Sequence, residues 1–440
     1  MKQEIPIIDI IISISGAIDL INPNISNHHK RVAYLAYCIG KEMNLPEDEL
    51  KDIILAGLLH DCGAVNFFER NFIYEFEFGN KTLERHSHGY KGWFILSDVP
   101  ELKNAAEIIK FHHIFWNEEN ATYMDKYSVP RGSHILHIAD RVDILIKRDE
   151  EILNQRNNIF ATIKNKSGEM FMPRAVEALE VIMAKPYIWF DLVNTYLEAL
   201  IRQIMAPYKV NIDPYSLTNY ARMAHRIIDF RSQFTATHSM GVASTTKTIA
   251  TLMNFCHGDT QLMYCAGLMH DIGKLCIPES ILEKPSALSI NEFNLMKSHT
   301  YHTYRIIDAI PGMERVRDWA AFHHEKLDGT GYPFGKSSSE LDLGSRILTV
   351  SDIFTALTED RPYRKAMEVD DAISTINRIN NIDDDVRLCL NKNLYEINEI
   401  RKNSQMSEMT HCSCMLKQGS CFDGSDDSSN ESFKVSCNQG

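Results

Sequence analysis

The sequence predicts an all-α fold built as two copies of one helical domain. Three observations carry this reading. Apolar residues recur at three- and four-residue spacing over Asp48–Leu59, Ala175–Met183 and Leu192–Met205, the period of a helix with one buried face. Strand-like alternation is scarce. The third observation is a repeat of chemistry-bearing residues. His28, His60–Asp61, His88, His112–His113 and Asp140 recur as His238, His270–Asp271, His299, His323–His324 and Asp352, at offsets of 210, 210, 211, 211 and 212. The flanks agree, with AGLLHD at 56–61 against AGLMHD at 266–271, and HILHIAD at 134–140 against RILTVSD at 346–352. With 18 His in 440 residues, one matched His carries nothing. Five spacings kept within two residues define a duplication. Duplication proves relationship between the halves, not catalysis.

A chain of 440 residues is long enough for two to three domains with their own cores. The repeat places the first copy at 1–205 and the second at 206–405. Loops are marked by Pro46, Pro100, Pro130, Pro278, Pro285, Pro311 and the Gly329–Gly335 stretch. Composition shifts near 405, and residues 419–432 (GSCFDGSDDSSNES) are polar, acidic and rich in Ser. Residues 406–440 therefore read as a flexible tail.

The isoleucine-rich start is interrupted by Lys2, Glu4, Asp9, Ser13, Ser15 and Asp19. It falls short of the ~18–20 apolar residues of a membrane helix and has no signal-peptide pattern. The expectation is a cytoplasmic protein without a membrane partner. With 59 acids against 46 bases, the net charge is −13. DNA would be repelled on average, whereas a small anion in a locally positive pocket is compatible. Cys38, Cys62, Cys256, Cys265, Cys276 and Cys389 lie in apolar contexts and read as reduced core residues. Cys412, Cys414, Cys421 and Cys437 match no metal-ribbon spacing.

Imidazole and carboxylate ligands together suit manganese, iron or zinc. The absence of thiolates from the repeated set argues against a structural zinc knot. A carboxylate beside a His can bridge two ions, and two ions roughly 3.5–4 Å apart suit phosphoester hydrolysis. The second copy alone adds substrate-type groups. Lys274, in HDIGK, lies one helical turn beyond His270, where the first copy has Ala64. His323-His324-Glu325 is followed by Asp328-Gly329-Thr330-Gly331-Tyr332-Pro333, whereas the first copy continues from His112-His113 into Ile114-Phe115-Trp116. Arg361-Pro362-Tyr363-Arg364 puts two guanidiniums and a ring nine to twelve residues after Asp352. Guanidiniums suit phosphates and guanine edges, and a ring can stack on a base.

HDIGK (270–274), HHEKLDGTGYP (323–333) and SDIFTALTEDRPYR (351–364) resemble the HD-GYP family of bacterial cyclic dinucleotide phosphodiesterases over about residues 215–400. The first copy resembles the wider HD phosphohydrolase superfamily over about residues 20–190, without the GYP string. The resemblance implies tandem HD-type helical bundles and hydrolysis of cyclic di-GMP or 3′3′-cyclic GMP-AMP to linear dinucleotide or mononucleotides. It implies two divalent ions, manganese or iron, in the second copy. One is held by His238, His270, Asp271 and Asp352, the other by Asp271, His299, His323 and His324. Asp271 is the expected bridge and takes part in catalysis with Lys274.

His302 rivals His299, but His299–His323 and His88–His112 are both 24 residues apart, which favours His299. Lys274, Asp328, Gly331, Tyr332, Arg361 and Arg364 are the expected substrate contacts. Three-ion members carry a Glu four residues before the first histidine. Phe234 and Asn24 stand there, so a third ion is not expected.

His28, His60, Asp61, His88, His112, His113 and Asp140 form a second expected metal site, without dinucleotide hydrolysis. His29, His86, His134, His225 and His257 read as structural or exposed, and His137 as a packing residue or a support for Asp140. The competing readings are a catalytically silent dinucleotide-binding signalling protein and an HD-type nucleotide phosphohydrolase. A homodimer or a signalling-protein partner stays open.

Overall fold

The computed structural model describes residues 3–21, 26–64, 87–118, 129–230, 237–360 and 364–420. The first half holds strand β1 (Gln3–Pro6) and helices α1 (Ile7–Asp19), α2 (His28–Glu42), α3 (Glu47–Leu59), α4 (Ser87–Leu96), α5 (Lys103–Lys110), α6 (Arg131–Leu145), α7 (Ile152–Lys164), α8 (Pro173–Met183), α9 (Pro186–Val193) and α10 (Leu197–Met205). The second half begins with β2 (Lys209–Ile212). It continues through α11 (Pro214–Asp229), α12 (His238–Leu252), α13 (His257–Met269), α14 (Glu279–Leu282), α15 (Ile290–Asp308), α16 (Glu314–Ala321), α17 (Leu343–Leu357), α18 (Val369–Ile376), α19 (Asp384–Lys392) and α20 (Leu394–Ser420). The all-α expectation holds, with β1 and β2 as one short antiparallel ladder.

Local chemistry sets several helix starts. Asp213 accepts hydrogen bonds from the Tyr215 and Ser216 N–H groups, with Pro214 in the first turn of α11. Ser289 and Glu292 close a reciprocal capping box at the start of α15. Asp342 accepts from the Ser345 N–H at the start of α17.

The isoleucine-rich start becomes α1, which buries Ile7, Ile8, Ile10, Ile11, Ile12, Ile14 and Ile18. A short helix that is apolar all round belongs inside a core. It packs on α3 and α10 of the first half, on α15, and on the 3-10 turn Ile272–Cys276 of the second. The Ser13 hydroxyl donates to the Ile306 carbonyl across the seam. β1 pairs with β2, Ile5 opposite Val210. The two copies thus share one apolar core. Among the described residues, no helix is long and apolar enough to cross a membrane.

One boundary needs correction. The expected flexible tail from 406 begins inside α20, which runs on to Ser420. Two of its polar residues, Gln405 and Glu408, face inward. Gln405 donates to the Thr237 carbonyl at 3.1 Å and Glu408 accepts from Arg226 at 3.0 Å. Residues 421–432, most of the polar stretch, lie outside the described residues. Cys421 and Cys437 lie outside the described residues. Cys256 is exposed and not a core residue.

Two candidate metal centres

Both copies build their ligand shells the same way. His28 opens α2 and His238 opens α12. His60 and His270 are the residues that end α3 and α13. The HD pair therefore sits at a helix end, and Lys274 lies on the following 3-10 turn, not on a continued α-helix face. The glycine of AGLxHD explains the close crossing. A Cβ on Gly57 would lie 2.5 Å from the Ala33 Cα, and one on Gly267 would lie 2.5 Å from the Ala243 Cα. Only glycine lets these helices approach enough to bring the first His beside the HD pair.

In the second copy the two oxygens of Asp271 diverge. Oδ2 lies 3.1 Å from His270 Nε2 and 3.9 Å from His238 Nε2. Oδ1 lies 3.5 Å from His299 Nε2 and 4.0 Å from His323 Nε2. Asp352 Oδ1 lies 3.2 Å from His238 Nε2. His299, His323 and His324 offer ligand atoms within 4.8 Å of one another, and so do His238, His270 and Asp352. His299, not its rival His302, joins this cluster. The first copy repeats the pattern. Asp61 Oδ2 faces His60 Nε2 at 3.5 Å and Oδ1 faces His88 Nε2 at 3.8 Å. His88, His112 and His113 cluster in turn.

These residues fit divalent ions on their own chemistry. The Nδ1 atoms of His270, His299 and His323 lie 2.7, 2.7 and 2.6 Å from the carbonyls of Gly267, Met296 and Ala320. A donor at Nδ1 leaves each Nε2 as a lone pair aimed inward. His299 Nε2 and His323 Nε2 then face each other at 3.4 Å, as do His88 and His112 at 3.3 Å. Two lone pairs at that distance call for a cation between them. Asp271 Oδ1, His270 Nε2, His113 Nε2 and both oxygens of Asp61 are buried without a hydrogen-bond partner among the described residues, a costly state unless an ion compensates it.

Burial lowers the pKa of His299 to about 3 and that of His112 to about 4, which keeps their lone pairs available. Burial alone would raise Asp271, but His270 and Lys274 outweigh it and hold the carboxyl well below its usual range.

The supports differ between copies. His28 Nδ1 meets Asp143 at 2.7 Å, and Asp143 is held by Arg31 and Arg148. His238 Nδ1 meets Glu359 at 2.8 Å. Sequence reasoning missed both carboxylates because they do not sit at repeat-equivalent positions. Burial disfavours a charged His28, yet Asp140 and Asp143 raise its pKa to about 9. Asp140 is also bound by Arg141, whose Nη2 and Nε donate to Oδ2 at 2.6 and 3.2 Å. His137 packs on His113, Phe115 and Phe171. His29 is buried on Asp19, and His225 lies between Asp229 and Glu408.

The expected substrate contacts divide. Lys274 Nζ lies 2.6 Å from Asp271 Oδ2 with its side chain 18% exposed, at the mouth of the site. The Tyr332 ring lies 5.0 Å from the His324 ring, beside Phe293, and Lys297 Nζ sits 4.9 Å from the Phe293 ring. Lys274 and Tyr332 are both partly exposed. Asp328 and Gly331 hold the loop. Asp328 accepts from the Thr330 N–H at 3.0 Å and from Asn381 at 2.8 Å, so its carboxylate is spent on turn geometry. Gly331 is a close-packing residue, since a Cβ there would lie 2.4 Å from the Glu325 Cα. Arg364 donates to the carbonyls of Leu357 and Ala356 at 3.0 and 2.6 Å, which caps α17. Arg361 and Phe234 lie outside the described residues.

Glu325 is the residue whose role the sequence did not disclose. It is buried and accepts from the N–H groups of Phe334, Gly335 and Lys336 at 2.7, 3.2 and 3.0 Å. Three charge-assisted bonds fix the loop that carries Tyr332.

Comparison with known proteins agrees with this geometry. HD-domain family models match residues 25–145 and 222–386. The 3′3′-cGAMP-specific phosphodiesterase 1 of Vibrio cholerae is 32% identical over 370 residues, covering 82% of this chain and 85% of the relative. The 3′3′-cGAMP-specific phosphodiesterase 3 of the same organism is 27% identical, covering 85% and 91%. A cyclic di-GMP phosphodiesterase of Thermotoga maritima is 29% identical over 42% of this chain and 52% of its own. The crystal structure of the V. cholerae cyclic GMP-AMP phosphodiesterase V-cGAP3 superposes with a TM-score of 0.61 at 24% identity, over 89% of this chain and 98% of that one, which shows a common fold. HD domains are metal-dependent, in keeping with the paired His/Asp clusters. With two HD domains, the GYP loop on the second and a relative of the same tandem form, the chain belongs to the HD-GYP family of cyclic dinucleotide phosphodiesterases.

Proposed function

We propose that this chain opens a bacterial cyclic dinucleotide at a phosphodiester bond, and that its second copy performs the hydrolysis. The observation that carries the reading is Asp271, whose two oxygens face two separate histidine groups inside a buried site flanked by the partly exposed Lys274 and Tyr332. We assign two ions, manganese or iron, to His238, His270, Asp271 and Asp352, and to Asp271, His299, His323 and His324. Bound there, such ions supply an acidified water and neutralise charge on the scissile phosphate.

The chain's own groups do the rest. Lys274 moves from Asp271 to a phosphate oxygen. Tyr332 offers a base a stacking face, held in place by Glu325. Burial lowers the pKa of His299, His323 and His324 and keeps these three neutral at physiological pH. The first copy binds metal without hydrolysing the dinucleotide, because Ala64 and Ile114 stand where Lys274 and Glu325 act.

We take 3′3′-cyclic GMP-AMP as the preferred substrate, with cyclic di-GMP second. The relatives that share the tandem form over most of their length carry the former specificity in their names. Product analysis of the full chain with Mn²⁺ and each dinucleotide tests this. Linear product from 3′3′-cyclic GMP-AMP at the higher kcat/KM is expected. Faster opening of cyclic di-GMP reverses the preference, and no product from either supports a silent binding protein.

A further inference from the structure

The two centres differ in where a fixed cation stands. In the second copy the cation is Lys274, on the bridging Asp271. It is a flexible side chain, part exposed, and able to leave for a substrate. In the first copy it is Arg141, on Asp140. Arg141 is 6% exposed, and two of its N–H groups converge on one carboxylate oxygen. The repeat-equivalent residue in the second copy is Ile353, which cannot pair with Asp352.

This difference bears on one of the two ion positions. A guanidinium stays charged at any working pH. Bound to Asp140 Oδ2, it draws electron density from the carboxylate and places a permanent positive charge behind it. The other oxygen, Oδ1, lies 3.4 Å from His28 Nε2 and 3.8 Å from His60 Nε2. An ion at that position meets a weakened donor and a repelling charge that cannot move away, since Arg141 is buried. The other position, between Asp61 Oδ1, His88, His112 and His113, has no such cation against its carboxylate among the described residues. Asp61 has Ala64 where Asp271 has Lys274, and its oxygens make no hydrogen bond among the described residues.

We propose that the first copy is a one-ion centre, held by Asp61, His88, His112 and His113, because the Arg141 guanidinium claims the carboxylate that a second ion needs. The inference rests on the reading of the first copy as a metal site. It gives that copy a defect inside the ligand shell, separate from the missing GYP loop. One ion cannot clamp the attacking and leaving oxygens of an in-line displacement from both sides.

The test uses the full chain saturated with Mn²⁺, freed of excess metal, and read by metal analysis and by electron paramagnetic resonance. Three ions per chain are expected, with the signal of an isolated Mn²⁺ beside that of a coupled pair. Arg141→Ile should raise the count to four and convert the isolated signal into a second coupled one. Asp61→Ala should lower it to two and leave the original pair, which keeps the test decisive if Arg141→Ile does not fold. Four ions in the parent chain, or an unchanged count in folded Arg141→Ile, would overturn the inference while leaving the metal-site reading intact. Two ions in the parent, both lost in Asp271→Ala, would overturn the two together.

Discussion

His28 and His238 each open a helix, each turns Nδ1 to a carboxylate at 2.7 or 2.8 Å, and each points Nε2 at an HD pair on the end of the next helix. The shells around them have nonetheless diverged. The first copy surrounds its ligands with Arg31, Arg141 and Arg148, all bound to acids. The second leaves Lys274 partly exposed on Asp271 and builds a loop on Glu325 that sets Tyr332 beside His324. The comparison separates two things that a motif search joins. Ligand geometry follows from helix ends and a glycine crossing that both copies keep. Substrate chemistry follows from a few side chains that only one copy has.

Replacing those side chains by their first-copy counterparts tests this separation. The largest effect is expected for Glu325→Ile. It would leave three N–H groups of the loop without their acceptor, each at a cost of about 1–3 kcal/mol. The kcat/KM for dinucleotide should fall at least about a hundredfold, while metal content stays that of the parent. Retained turnover would mean the loop does not need this anchor.

Lys274→Ala copies Ala64 and should act less strongly. A charge-assisted contact to phosphate is worth about 1.5–3 kcal/mol, roughly ten- to a hundredfold in kcat/KM. Metal analysis is the second readout, and loss of metal in this variant would make Lys274 a support of the ion pair instead of a substrate contact.

A smaller effect distinguishes the copies by pH. Burial lowers the pKa of His134 to about 4 from its ordinary 6.5, and Arg346 stands at the equivalent place in the second copy. The unfolded chain therefore binds a proton that the folded chain refuses. Stability from this group is complete above pH 6.5 and declines as pH falls toward 4, by on the order of 1–3 kcal/mol. Denaturant midpoints of the metal-free chain should follow that slope, and His134→Leu should flatten it. Equal slopes in parent and variant would remove His134 from the account.

Much of the centre was legible because its ligands recur at nearly one offset, and a shared backbone preserves such spacing. The repeat also singled out AGLxHD, whose glycine proved to be a helix crossing. What stayed hidden has physical reasons. Asp143 and Glu359 do the same job from non-equivalent positions, since the repeat partner of Asp143 is Thr355. Arg364 also caps the end of α17, a bond to backbone that no spacing announces. The isoleucines of α1 had no amphipathic period to read, because the helix is buried on all sides between the copies. Glu408 of α20 was hidden for the converse reason: its hydrogen bond reaches Arg226, far away in sequence.

The division of labour is the central claim, and one pair of variants of the full chain tests it most directly. Asp61→Ala and Asp271→Ala each remove the aspartate of the His-Asp pair of one copy, and the shared core argues for leaving the chain whole. Time courses of linear product from 3′3′-cyclic GMP-AMP, with Mn²⁺ present, are compared with the parent. The account predicts that Asp271→Ala makes no linear product and that Asp61→Ala still opens the ring, within about tenfold of the parent rate. Ring opening by Asp271→Ala, or its loss in a folded Asp61→Ala, would contradict it.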